Sequence, residues 1–187
     1  MVSLAALWLP ILVAAVFVFI ASSIMHMVLP YHKKNFRPLP DEGGVTGALR
    51  ASNVTPGLYM FPHCEDHSKM KDPAVQEKFK TGPVGIVTIM PSGQMNMGKY
   101  LGLWFLFTIL VSFFCAYVAG VVLPPGTYYL KVFRVVGTIA FMTYGLSYFV
   151  DSVWKGIPWG HTAKNMFDGL IYALLTAGTF GWLWPKG

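Results

Sequence analysis

Four stretches of this chain, residues 4–29, 100–123, 129–150 and 166–184, are long enough to cover the hydrocarbon core of a bilayer, which takes about 20 apolar residues in a helix. Backbone N–H and C=O groups find no partner in lipid, so such runs must be helices; the alternating pattern of a barrel strand is absent. The interruptions sit near the ends. Pro10 falls in the first turns of the first run, Lys131 and Arg134 near the start of the third, and Asp168 near the start of the fourth. Only 12% of the residues are charged, about half of what a soluble domain carries, and the deficit is concentrated in these runs. Disordered, collagen-like and disulfide-rich architectures are excluded by the same composition. The first run has no charged residue from Met1 to Met25 and exceeds the roughly 7–15-residue apolar core of a signal peptide, so it is expected to be a retained span.

The polar residues then set an orientation. Nine of the fourteen Lys and Arg lie between Pro30 and Lys99, Lys33 and Lys34 among them, and Lys155 and Lys164 fall on the same side. The positive-inside rule places residues 30–99 in the cytoplasm and both termini in the periplasm. Trp8, Tyr128, Tyr129, Trp182 and Trp184 mark one set of helix ends and Tyr31, Tyr100, Trp104, Trp154 and Trp159 the other, as two interfacial aromatic belts. The net charge of +6 is therefore a topology signal. Six acids interleave with the bases of the 30–99 segment, and no nucleic-acid motif is present, so nucleic acid is not an expected partner.

The 30–99 segment carries local folding signals of its own. Asp41-Glu42 opens a short helix through Arg50, and Pro56-Gly57 turns into a strand at 58–61. Asp72-Pro73 starts a second helix ending near Lys80, and residues 84–90 read as a second strand closed by Pro91-Ser92-Gly93. The predicted fold is thus an all-α integral membrane protein: four transmembrane helices with a small cytoplasmic α+β insertion between helices 1 and 2. Its divisions are a first span at 1–29, the insertion at 30–99, and three spans at 100–187.

Chemistry-bearing residues are few. His63-Cys64-Glu65-Asp66-His67 offers two imidazoles at i and i+4 and a thiolate, a metal-site pattern if helical, against a solvated polar loop as the plain alternative. His26, at the cytoplasmic end of the first run, and His161, just before the fourth, lie on one leaflet, where they could ligate a haem or a chlorophyll-type pigment. His32 would join the His63, Cys64 and His67 set only through tertiary folding. Asp151 and Asp168 lie near that interface beside Lys155 and Lys164; no ionisable group is at mid-membrane, which argues against a proton relay or ion path. Cys64 and Cys115 do not suggest a disulfide. No phosphate loop, nucleophile elbow or catalytic triad occurs, which favours a non-catalytic protein.

Small residues recur every four positions in the fourth run, at Gly169, Ala173, Ala177 and Gly181, making a stripe that lets a second helix approach closely. It serves packing within the chain or a docking face for another membrane subunit. The stretches Met27-Val28-Leu29-Pro30-Tyr31-His32-Lys33, Leu39-Pro40-Asp41-Glu42 and residues 168–178 (DGLIYALLTAG) resemble a group of small four-span bacterial inner-membrane proteins. The resemblance runs along most of the chain; it implies a bacterial inner-membrane location and transfers no activity and no site residue. Two functions are expected from this reading. One is a non-catalytic accessory or assembly subunit of a larger membrane complex, respiratory or photosynthetic. The other is a haem-, pigment- or metal-binding redox protein of the membrane; which cofactor it carries is left open.

Overall fold

The computed structural model describes residues 1–33 and 35–186, without the side chain of His67; Lys34, one of the bases on which the expected orientation rests, lies outside them. The chain divides into two compact units, Met1–Asn35 with Asn96–Gly187, and Phe36–Met95. Residues 30–35 and 96–99 therefore group with the long helices and not with the inserted segment.

The first unit is built from four long helical stretches. A 3₁₀ turn at Leu4–Leu7, capped by the Ser3 hydroxyl, leads into α1 (Trp8–Ser23) and a π turn at Ile24–Val28. Pro30 follows directly, and the residue before a proline is kept out of the α region, which ends the helix there. After the second unit, which contains the helices α2 and α3 described below, come α4 (Met97–Val122), α5 (Tyr129–Tyr144), a 3₁₀ turn at Leu146–Tyr148, the short α6 (Phe149–Lys155) and α7 (Trp159–Trp182). Three stretches, Leu4–Val28, Met97–Val122 and Tyr129–Lys155, are long and apolar enough to cross a membrane. The fourth expected span is present as a helix, α7. It begins seven residues before the expected start at Met166, and its Lys164, Asn165 and Asp168 leave it short of the apolarity of the other three.

The four long helices pack in a ring, each chiefly against two others: α1 on α4 and α7, and α5 on α4 and α7. Hydrogen bonds across the ends show that neighbours run antiparallel. At one end Val2 N–H donates to the Gly120 carbonyl (2.8 Å) and Gly126 N–H to the Pro185 carbonyl (2.9 Å). At the other end the segment after α1 meets the start of α7. The core holds Leu7, Val18, Cys115, Val132, Val136 and Phe180 out of solvent, while Leu106, Leu110, Phe114 and Leu130 stay exposed on the outer faces. Apolar residues outside as well as inside are what a helix facing lipid requires.

The small-residue stripe of α7 lies against α5. A Cβ added at Gly169 would stand 2.5 Å from the Tyr144 backbone, one at Gly137 of α5 would meet the Ala177 methyl at 3.2 Å, and one at Gly181 would meet the Tyr129 ring at 2.6 Å. Two of the expected belt tryptophans also turn inward. The Trp104 indole donates to the Ser22 hydroxyl (2.7 Å) and the Trp184 indole to the Pro124 carbonyl (3.1 Å).

The second unit runs α2 (Glu42–Ala51), β1 (Gly57–Phe61), a 3₁₀ turn at His67–Lys71, α3 (Pro73–Thr81) and β2 (Gly85–Ile89). Both helices start where the capping residues say they should. The Asp41 carboxylate accepts from Gly44 N–H and the Asp72 carboxylate from Ala74 N–H, each at 2.8 Å. The strands pair antiparallel, from Gly57 opposite Ile89 to Phe61 opposite Gly85, where the missing side chain admits the Phe61 ring. None of the described residues in this unit is buried.

Candidate functional site

At the end of the helical unit where α1 finishes and α7 begins, three donor side chains converge: His26, His32 and Asp168, whose ligand atoms all lie within 4.8 Å of one another. Each arrives by a local feature of the chain. His26 sits in the π turn, whose Leu29 N–H to Ile24 carbonyl bond puts one extra residue in the turn and re-aims the side chains there; such turns often occur at functional sites. Pro30 then starts a 3₁₀ turn that brings His32 back over His26, their rings stacked with centroids 4.4 Å apart. Asp168 stands in the third turn of α7, immediately before Gly169, where the close approach of α5 fixes the helix.

Asp168 is 2% exposed, and a buried carboxylate is tolerated only when its oxygens are satisfied. The Tyr31 hydroxyl donates to Oδ1, and His32 Nε2–H donates to Oδ2 at 2.7 Å. Asn35 Nδ2–H donates to His32 Nδ1 (2.7 Å), which sets the ring proton on Nε2. The Lys164 ammonium donates to the Tyr31 carbonyl (2.7 Å) and to Asn35 Oδ1 (3.0 Å), so one network holds residues 31–35 against α7. Burial first, then the Asp168 carboxylate, pushes the Tyr31 hydroxyl above its ordinary value of 10, and it remains a donor at neutral pH.

His26 is held differently. Its Nδ1–H donates to the Ser22 carbonyl (3.1 Å), which leaves Nε2 with its lone pair 3.9 Å from Asp168 Oδ2. Two electron-pair donors across that gap can be bridged by a water that donates to both or by a metal ion. A tetrahedral ion 2.0–2.2 Å from nitrogen and oxygen ligands holds those ligands about 3.4 Å apart. The 2.7 and 3.9 Å separations of the two imidazole nitrogens from Asp168 Oδ2 bracket that distance, while the two stacked rings, 11° from parallel, would have to turn to aim both nitrogens at one ion. The Ser22 carbonyl accepts the Nδ1 proton of His26, as an outer group does for a ligating imidazole, whereas ligation through His32 Nε2 requires that ring's proton on Nδ1 and the Asn35 amide turned to accept it.

Beside this cluster, between α1, α4, α5 and α7, lies a cavity of about 560 Å³ with His26 and Asp168 in its wall. The rest of the wall is mainly aromatic and apolar, including Tyr100, Trp104, Phe107, Tyr144, Tyr148 and Tyr172.

The candidates named from the sequence fall in different places. His26 is at the centre, but its partners are His32 and Asp168. His161 lies in the first turn of α7, seven residues or about 10 Å of helix before Asp168, and is not one of the converging donors. His63 and Cys64 lie in an irregular stretch before the 3₁₀ turn, so the i, i+4 helix-face argument does not apply to them. The Cys64 thiol donates to the Asp66 carbonyl, and the His67 side chain lies outside the described residues. Gly169, Ala173, Ala177 and Gly181 sit on the face of α7 that meets α5 and do not reach the cluster, although Gly169 fixes the helix beside it. A signal for Asp168 was present in the sequence, a lone acid in an otherwise apolar run. None was present for His32, which joins across 136 residues.

Comparison with protein-family models, with curated proteins and with solved structures finds no match to this chain.

Proposed function

We propose that the chain is a non-catalytic, multi-pass subunit of the bacterial inner membrane that carries one divalent transition-metal ion at the cytoplasmic end of its helical unit. The observation that carries this reading is the convergence of His26, His32 and Asp168, two imidazoles and a carboxylate. That donor set suits zinc or ferrous iron, with a position left for water or another ligand.

Membrane insertion with four spans is supported by the three apolar helices and by the way α7 hides its polar groups. Asp168, Thr176 and Thr179 are buried inside the unit, and α7's 24 residues span about 36 Å, enough for a hydrocarbon core of about 30 Å. Its polar residues cost hydropathy without facing lipid. The excess of Lys and Arg between residues 30 and 99 supports a cytoplasmic placement of that segment and periplasmic termini. The resemblance to small four-span bacterial inner-membrane proteins agrees with this location.

The accessory-subunit role places the chain in a larger complex. The α7 stripe lends no support to docking, because α5 of the same chain occupies it; the metal cluster now carries the functional argument. A haem held by His26 and His161 is not proposed, since His26 turns toward Asp168.

The test is extraction from the native membrane in mild detergent, a native gel, and metal analysis of the band. One zinc or iron per chain is expected in the wild type, with loss in Asp168→Asn and His32→Ala and retention in His161→Ala and Cys64→Ser. Retention of the metal in Asp168→Asn, or no metal after incubation with micromolar zinc, would overturn the reading. Migration in a large complex supports the subunit role, and a band at the size of the chain alone counts against it.

A further inference from the structure

The cavity beside the cluster contains two polar atoms that the metal reading does not use. Tyr144, the last residue of α5, and Tyr172, one turn beyond Asp168 on α7, are 3% and 4% exposed, and both line the cavity. Neither hydroxyl has a hydrogen-bond partner among the described residues. A buried hydroxyl without a partner costs roughly 1–3 kcal/mol, and phenylalanine would pack the same space without that cost. Of the other hydroxyls of this wall, those of Ser22, Ser23, Thr143 and Ser147 donate to nearby backbone carbonyls, and those of Tyr100 and Tyr148 belong to residues that are not fully buried. The Tyr144 and Tyr172 hydroxyls are therefore unpartnered donors enclosed behind the cavity wall, where a turn of the rings would bring them to its surface.

The wall specifies more than an acceptor. The rings of Trp104, Phe107, Tyr144 and Tyr172 form one contiguous aromatic surface: Tyr144 meets Tyr172 edge-on at 5.6 Å and Phe107 at 5.9 Å, and Trp104 meets Tyr172 at 6.1 Å. Aromatic faces and edges on several sides suit a flat ring better than a flexible acyl chain. A volume of about 560 Å³ between helices lies within the usual range for a small-molecule site of 300–1,000 Å³. Walls of three strongly apolar helical stretches favour a ligand that reaches the site from the lipid phase.

We propose that the cavity binds a membrane-soluble quinone, a planar ring whose carbonyl oxygens accept from Tyr144 and Tyr172 and whose apolar tail follows the helices. The site is independent of the metal proposal. It rests on the unpartnered tyrosines and the aromatic wall, and it stands whether or not His26, His32 and Asp168 hold an ion.

The experiment titrates the detergent-purified full chain with a decyl-substituted benzoquinone and follows quenching of tryptophan fluorescence. Saturable quenching at one quinone per chain is expected, with the saturable component absent in Trp104→Phe. Tyr144→Phe and Tyr172→Phe should each weaken binding about tenfold, as one lost hydrogen bond of about 1.4 kcal/mol predicts. Circular dichroism checks that each variant folds; if one of the two unfolds, the other alone decides. His32→Ala, which lies outside the cavity wall, should lose zinc and keep quinone binding, so that failure of one proposal is separated from failure of the other. Quenching that rises without saturation, unchanged affinity in folded Phe variants, or release of a bound phospholipid in place of quinone would overturn the assignment.

Discussion

The two units of this chain are specified by different physics. In Met1–Asn35 with Asn96–Gly187, side chains such as Leu7, Val132 and Phe180 are fully enclosed, and helices approach so closely that a single methyl group at Gly169 has no room. In Phe36–Met95 no described residue is buried, Leu58 and Val84 are more than half exposed, and a methyl group at Gly47 would touch nothing. The first unit is held by packing between distant segments. The second is defined by local devices: two aspartate caps, a proline at the start of α3 and a short strand pair. Local devices decide where elements begin and end, but they do not supply the buried apolar area that offsets chain entropy.

The comparison breaks most sharply by cutting the chain. A fragment covering residues 36–95 should show no cooperative thermal transition by circular dichroism. The helical unit, with that segment replaced by a Gly/Ser linker, should keep its helical signal in detergent and its metal site. A cooperative transition in the fragment would show that the second unit needs no burial beyond its own. Next in size is Gly169→Ala. It pushes a Cβ into the Tyr144 backbone and should destabilise the protein by about 1–3 kcal/mol, read as a lowered unfolding temperature in detergent. A neutral result would mean that α5 and α7 are looser than their spacing implies.

Tyr31→Phe removes one donor from the buried Asp168 and should cost about 1 kcal/mol, with faster hydrogen exchange in residues 30–35 as the specific readout. Gly47→Ala makes the same chemical change as Gly169→Ala with the opposite sign. It should stabilise α2 by about 0.5–1 kcal/mol, seen as slower exchange of the α2 amides, because helix propensity improves and nothing is crowded.

The smallest effect is local and acid-dependent. The Ser68 hydroxyl and N–H stabilise the ionised Asp66 carboxylate and hold it below its ordinary 3.8. A lowered carboxylate contributes its stability above the unfolded value, and that contribution is lost as pH falls through the lowered one. The turn at His67–Lys71 should therefore loosen in acid, followed through the Ser68 amide resonance, and Asp66→Asn should remove that pH dependence.

The legibility of the chain follows the same division. Asp41, Asp72 and Pro73 announce α2 and α3 to within a residue or two, because a cap acts on amides two or three positions away. The apolar runs announce three helices for a similar reason, since hydropathy is summed along a contiguous stretch. α7 is harder to read. Its helix is found, but its start and its relation to lipid depend on which neighbours shelter Lys164, Asn165 and Asp168.

By itself the sequence determined the bounds of α2, α3 and the two strands to within a residue or two, three of the stretches apolar enough for a membrane, and that polar chemistry is scarce. Each of these depends on residues within a few turns of one another. Only the tertiary structure decided that His26 pairs with His32 and Asp168 and not with His161, that α5 fills the small-residue stripe of α7, and that Tyr144 and Tyr172 face a shared cavity. These are contacts across the packed ring of helices, joining residues as far apart as His26 and Asp168, 142 positions, and no periodicity along the chain encodes which faces will meet.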